Sequence, residues 1–334
     1  MNWFEILTGF AETTPEQVRK NLVLDGETLL SRVNGRSMVC GRLETPSLAE
    51  LRHAVRSPEH NRGKLSLREA VANVQDLHAD ASLSGSLFQV ASQFNLLEMT
   101  SPSVTPERGV GIYEHDRTQG PACAIAAGAG TIYRNYLASV NGQTGQTATN
   151  QLDCLADIGR ALNNSNDVLW EMRNGYALAS KHGLIEISDR LRESSEQQID
   201  ELRKLLRIGV QWDTEVTLRD SKHTVSQVYC SALPVAYCRH GLDLWERFAR
   251  LILEASYEAS ICAAILNSRR KGSRKIFLTL LGGGAFGNPA EWIMGALERA
   301  VRLYEKFDLD VAIVSYGESK ECVRELVNQF AIGR

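Results

Sequence analysis

Toward the C-terminal end the chain alternates short apolar runs with longer amphipathic stretches. Lys275–Leu281 predicts a buried strand, Pro289–Phe307 a helix and Val311–Tyr316 a last strand. Ahead of them Phe248–Asn267 predicts a long helix, with Leu251, Ile252, Ala255, Ala259 and Cys262 on one face. Strands and helices alternating at these lengths predict a parallel sheet covered by helices. Upstream, the apolar run Leu87–Ala91 ends in the polar side chains Ser92, Gln93 and Asn95. A buried parallel strand with a polar end is where an α/β protein holds its ligand. Leu67–His78 and Ala122–Leu137 have helical spacing, and Thr214–Leu218 and Val225–Cys238 predict two further strands. The polar stretch from about 160 to 207 predicts a helical insertion, and Asn141–Gln146 a surface loop. The first 65 residues read as mixed helix and short strand, with Thr14 capping a helix at Pro15 and a surface loop at Ser57–Lys64. They predict an extension packed on a core domain that covers 66–334.

Composition narrows the class. The chain has 334 residues, 43% hydrophobic and 23% charged, which excludes disordered, collagen-like and disulfide-scaffold proteins. With 37 basic and 40 acidic side chains the net charge is −3, and the lack of a basic run argues against a nucleic-acid partner. No apolar run is long enough for a membrane helix, and no secretory signal is legible, so the expected location is cytoplasmic. The seven scattered cysteines, at no zinc-ligand spacing, read as reduced core thiols.

Candidate chemistry begins at Gly282-Gly283-Gly284-Ala285-Phe286-Gly287-Asn288, between a predicted strand and a predicted helix. Gly282, Gly284 and Gly287 match the dinucleotide fingerprint GxGxxG, but the next strand ends in Tyr316 and Glu318, later than that fingerprint requires for its acidic residue. Backbone N–H groups free of Cβ obstruction ahead of a helix predict a pyrophosphate cradle, with Phe286 placed to stack on a base or ribose. The plainer alternative is a tight turn with Phe286 in the core.

Gly284-Ala285-Phe286-Gly287 followed by a helix and by Ile313-Val314-Ser315-Tyr316-Gly317 resembles the C-terminal half of a macrodomain, in particular the poly(ADP-ribose) glycohydrolase-like branch. The resemblance implies a three-layer α/β/α sandwich with a mixed, mostly parallel sheet, and ADP-ribose or an ADP-ribosylated protein as partner, with neither metal nor redox cofactor. It implies a diphosphate and ribose site at Gly282, Gly283, Gly284, Ala285, Phe286, Gly287 and Asn288, adenine-side roles for Tyr316 and Glu318, and a distal-ribose contact for Asn95, beside Gln93. The loop Gly109–Pro121 stands where that family carries its catalytic loop. Cleavage at the distal ribose needs an acid there to protonate, position water or stabilise an oxocarbenium-like transition state. Asp116 is the first candidate, then Glu114 and His115, with Gln119 joining the catalytic set through a hydrogen bond to the ribose, Thr118 and Gly120 as ligand-binding partners and Tyr113 as a stacking ring. A solvated turn with an internal ion pair is the bland alternative for Glu114–Arg117.

Between Asn95 and Ala122 the chain lacks the Gly-Gly-Gly run and Gln-Glu-Glu of the glycohydrolase branch. In this it resembles effector-type macrodomains that remove single ADP-ribose units from arginine, whose cationic guanidinium suits an acidic neighbour. The expected activity is therefore hydrolysis of arginine-linked mono-ADP-ribose. A non-catalytic ADP-ribose reader and a Rossmann-type NAD enzyme are the alternatives. Three weaker features are Asp213 with Glu215 as a second acidic pair at the cleft mouth, Asp76 and Asp80 beside His78 as an adenine-contacting acid or metal site, and Cys230-Ser231 with His240 as a nucleophile and base.

Overall fold

The computed structural model describes residues 1–56 and 63–332. In chain order the elements are helices α1 (Trp3–Thr8) and α2 (Pro15–Asn21); strands β1 (Leu22–Asp25), β2 (Thr28–Ser31), β3 (Ser37–Val39) and β4 (Arg42–Glu44); α3 (Leu48–Val55), β5 (Ser66–Val71), α4 (Val74–Ala79), β6 (Leu87–Ala91), α5 (Gln119–Ala126) and α6 (Gly128–Tyr136). They continue with β7 (Ser139–Val140), β8 (Gln143–Thr144), α7 (Ala156–Leu162), β9 (Trp170–Arg173), β10 (Tyr176–Ala179), α8 (Lys181–Glu193), α9 (Glu196–Leu205), β11 (Gly209–Glu215) and β12 (Thr224–Cys230). The last are α10 (Leu242–Lys271), β13 (Lys275–Leu278), α11 (Ala290–Leu303), β14 (Asp310–Ser315) and α12 (Glu321–Ile332).

Seven strands form the central sheet in the order β4-β11-β12-β6-β13-β14-β5. From β12 to β5 every neighbouring pair is parallel, and β11 alone runs against its neighbours. β6 lies at the centre and is buried on both faces, as its continuous apolar text requires. Gln89 of β6 faces α10, its amide donating to Ser260 Oγ at 2.9 Å, while Phe88 faces α4 and stacks on His78 with ring centroids 3.8 Å apart. One helical layer is α10 with α3, α8, α9 and α11; the other is α4, α5 and α6. The result is the mixed, mostly parallel three-layer α/β sandwich expected from the sequence. No helix among the described residues is long and apolar enough to cross a membrane.

Several expected boundaries are corrected. Leu67–His78 is not one helix but the edge strand β5 followed by α4, because apolar residues from two abutting elements mimic helical spacing. Ala122–Leu137 is two helices broken at Ala127, whose ψ of 58° leaves the helical region. The strand expected at Thr214–Leu218 starts at Gly209 and stops at Glu215, that at Val225–Cys238 stops at Cys230, and that at Lys275–Leu281 stops at Leu278. The insertion carries the hairpin β9–β10 ahead of its helices α8 and α9. The N-terminal region lends β4 to the edge of the central sheet. Thr14 caps α2 as expected, accepting from Gln17 N at 3.2 Å. Of the loop expected at Ser57–Lys64, residues 57–62 lie outside the described residues. The cysteines are free thiols, and burial raises the pKa of Cys123, Cys154, Cys230 and Cys262.

His78 makes the fold pH-dependent. It is fully buried, with Nδ1 2.8 Å from Val74 O and Nε2 3.0 Å from the Gln227 amide nitrogen, a pairing that suits the neutral ring with Nδ1–H donating and Nε2 accepting. Burial, opposed by the bond to Val74, brings its pKa down from 6.5 to about 4. The unfolded chain therefore takes up a proton that the native state refuses. The stabilisation is complete above pH 6.5 and is lost as pH falls toward 4, about 3 kcal/mol in all. Urea unfolding at pH 7 and pH 4.5 is expected to show a stability drop that is smaller by about 2 kcal/mol in His78→Gln than in wild type.

Candidate functional site

The parallel strands end along one edge of the sheet, and a two-lobed cleft opens there. The smaller lobe, ≈ 180 Å³, lies over the ends of β6, β12 and β13 and is lined by Ala91–Gln93, Glu98, Ala232 and Thr279–Gly282 among others. The larger lobe, ≈ 590 Å³, lies over the ends of β5 and β14, between Ala72–Gln75, Ile125, Val314 and Tyr316. Asp116, Thr118, Gln119 and Thr279 line both lobes and form their junction.

The glycine loop closes the smaller lobe. Gly282 and Gly287 have φ of +76° and +71°, conformations that a side chain would strain. The loop is held from within: Gly283 N donates to Leu280 O, Gly287 N to Gly284 O and Asn288 N to Gly282 O, at 2.9–3.0 Å. The Asn288 side-chain amide donates to Leu233 O at 2.9 Å and ties the loop to the segment after β12. Among the described residues the amides of Gly284, Ala285 and Phe286 have no internal acceptor, so three successive N–H donors remain for an anion. A Cβ on Gly284 would meet nothing within 4 Å.

Phe286 is half-buried, lining the cleft and packing against the hydrophobic core at once. Its ring lies 5.3 Å from that of Tyr176, on β10, and 5.6 Å from that of Tyr237, in the loop after β12; the two tyrosines are 5.2 Å apart. Tyr176 OH donates to Met99 O at 2.7 Å, which fixes this aromatic wall to the loop after β6. Burial, then the nearby Tyr237 and Asp116, raises the Tyr176 pKa, so its hydroxyl keeps its proton. The same loop after β6 is closed by Gln93, whose amide donates to Met99 O at 3.1 Å and accepts from Met99 N at 2.9 Å.

Below the smaller lobe lies an ion pair without solvent exposure: both Glu98 oxygens stand 3.2 Å from Arg134 Nη2. Burial pushes Glu98 up to about 7, against the pull of Arg134. Arg134 also donates to Leu96 O at 2.9 Å and to Tyr229 OH, and Tyr229 OH donates to Gln227 Oε1 at 2.6 Å. The strand end is thereby braced by polar bonds that only a folded core supplies.

Of the expected residues, Asp116, Gln119, Thr118, Gly120, Gln93, Gly282, Gly284, Ala285 and Phe286 meet at the smaller lobe, and Glu114 and Tyr316 at the larger. Asp116 is half-buried, and its Oδ1 accepts from Thr118 N at 2.8 Å. Gln119 is fixed by its own bonds, its amide donating to Gln89 O at 2.7 Å and its oxygen accepting from Ala91 N at 2.9 Å. His115 is exposed, 3.8 Å from Glu114.

Others have different work. Asn95 is buried off the cleft, accepting from Leu97 N and donating to Gln151 Oε1. Tyr113 is buried and accepts from Glu98 N at 3.0 Å, so its ring does not stack on a ligand. Gly283, Gly287 and Asn288 shape the loop without lining the lobes, and Glu318 stands on a separate exposed surface with Ser319 and Lys320. Asp213 pairs with Arg270 and Lys271, and Glu215 accepts from Val39 N, both away from the cleft. Asp76 pairs with Arg219, Asp80 caps the turn at Ser82, Cys230 faces Ser260 and His240 faces Ala179 O. Sequence reasoning missed Glu98, Tyr176, Tyr237 and Thr279. Glu98 carried a signal: one acid inside the apolar stretch Phe94–Met99, where burial demands a cationic partner.

No protein-family model matches the chain, and no curated protein matches it. Among solved structures it is similar to poly(ADP-ribose) glycohydrolase from Thermomonospora curvata, with 10% identity and a TM-score of 0.46 over 94% of this chain and 95% of that one. It is also similar to poly(ADP-ribose) glycohydrolase from Deinococcus radiodurans in complex with ADP-ribose, with 10% identity and a TM-score of 0.45 over 86% of this chain and 94% of that one. Identity and superposition at this level bear on neither ligand nor chemistry.

Proposed function

We propose that the cleft binds ADP-ribose and that the protein is a hydrolase that releases mono-ADP-ribose from modified arginine side chains. The observation that carries this reading is Asp116 at the junction of the two lobes, next to a loop with three free backbone amides. The larger lobe takes the adenosine end, the amides of Gly284, Ala285 and Phe286 the diphosphate, and the smaller lobe the distal ribose. Water attacks the anomeric carbon, the bond from that carbon to the guanidinium nitrogen breaks with its electron pair going to nitrogen, and the neutral guanidine that leaves takes up the proton given up by water and becomes guanidinium again. Asp116 orients the water and stabilises the positive charge that develops on the ribose.

Arginine is favoured over uncharged linkages because Asp116 and the aromatic wall of Tyr176, Tyr237 and Phe286 together suit a planar cation. The bond from Asp116 to Thr118 N favours a second reading, in which the loop acid only shapes the cleft of an ADP-ribose reader.

Calorimetry with ADP-ribose tests the binding half. Because the Gly284 Cβ position is open, Gly284→Glu is expected to leave the unfolding midpoint unchanged and to lower ADP-ribose affinity at least 100-fold, by filling the cradle and repelling the diphosphate. Equal affinity in the two proteins would remove the glycine loop from the site.

A further inference from the structure

The loop that presents Asp116 does not hold itself. Its last 3₁₀ turn, Gly111–His115, has no side-chain cap of its own, so the amides that open it need acceptors from elsewhere. They come from the far N-terminal segment. Glu12 Oε1 accepts from Val110 N at 2.9 Å and Glu12 Oε2 from Gly111 N at 2.6 Å, while Tyr136 OH donates to Glu12 Oε1 at 2.7 Å. Trp3 Nε1 donates to Val110 O at 3.2 Å on the same stretch. The approach is close: a Cβ on Gly109, where φ is +84°, would fall 2.4 Å from the Glu12 carboxylate, and one on Gly111 2.8 Å from it. From this anchor the turn runs directly to the junction of the lobes. Tyr113 accepts from Glu98 N at 3.0 Å, and Asp116 N donates to Tyr113 O at 3.1 Å.

We infer that residues 2–12 form a clamp on the Asp116 loop and that Glu12 is its positioning residue, holding Asp116 at the distance from the distal ribose that hydrolysis needs. The inference rests on the reading of Asp116 as the carboxylate at the reacting end. It gives the N-terminal region a part in the site without contact to the ligand.

The test pairs Glu12→Gln with Tyr136→Phe. The glutamine keeps the shape, but its amide nitrogen cannot accept the second backbone N–H; the phenylalanine removes only the third donor and leaves the core ring. Two readouts are taken below the unfolding temperature of each variant: amide hydrogen exchange across residues 109–119, and steady-state release of ADP-ribose from an arginine-modified protein. Glu12→Gln is expected to exchange faster across 109–119 and to lose about 10- to 100-fold in kcat, with KM and ADP-ribose affinity within about threefold of wild type, since a misplacement near 1 Å costs that order. Tyr136→Phe is expected to move both readouts the same way by less. Unchanged exchange in Glu12→Gln overturns the clamp whatever the activity. Faster exchange with unchanged kcat overturns the positioning role and leaves the functional reading standing. A wild type that releases nothing from any linkage overturns the functional reading and with it the positioning role, while exchange still decides the clamp.

Discussion

Replacing Asp116 with alanine is expected to lower kcat for ADP-ribose release by about 10²- to 10⁴-fold, the range supplied by one positioned acid or base, while ADP-ribose affinity changes by less than about threefold. The split follows from geometry. Asp116 lines the junction of the lobes, but the backbone amides proposed to hold the diphosphate lie on another loop, so on that proposal binding does not depend on this carboxylate. Because Asp116 also accepts from Thr118 N, Asp116→Asn is the necessary companion: its amide oxygen keeps that bond and its charge is gone. Loss of kcat in both variants assigns the effect to charge. Full activity in the asparagine variant would reduce Asp116 to a loop-shaping residue and place the hydrolytic chemistry on another group.

The largest effect on stability is expected at Arg134. Arg134→Met fills much of the volume but leaves Glu98 buried without its cation, and orphans Leu96 O as well. Removing one partner of a buried pair costs about 3–5 kcal/mol, whereas removing both charges is often close to neutral. The double variant Arg134→Met, Glu98→Gln is therefore expected to recover at least about 2 kcal/mol relative to Arg134→Met alone in urea unfolding. Additive losses would mean that the two side chains do not stabilise each other in the folded state.

How much of this was legible in the sequence varies by region. The run from Lys275 to Tyr316 announced its strand, loop, helix and strand because its two apolar strands are short and uniform and are set off by glycine, proline or charged residues. β5 was illegible as a strand: it sits at the sheet edge, half exposed, and runs into α4 after only two residues, so the two together imitate a single amphipathic helix. The break at Ala127 left no mark because Ala-Gly text suits a helix and its interruption equally. At the site, the glycine loop and Asp116–Gly120 were legible because each is a local cluster with its own chemistry. Tyr176 and Tyr237 reach the cleft from a hairpin and a loop far from either cluster, and only tertiary packing brings them together. Asn95 shows the converse: its position after β6 fitted a ligand contact, but the tight loop from Gln93 to Met99, with Leu96 at φ +65°, takes the side chain for its own closure.

The most direct test of the central claim is release of ADP-ribose by the wild-type protein from substrates modified separately on arginine, glutamate and serine. Release from arginine, at least tenfold faster than from the other two, is the predicted result. No release from any of the three, with calorimetric ADP-ribose binding intact, would contradict the hydrolase and leave a binding module.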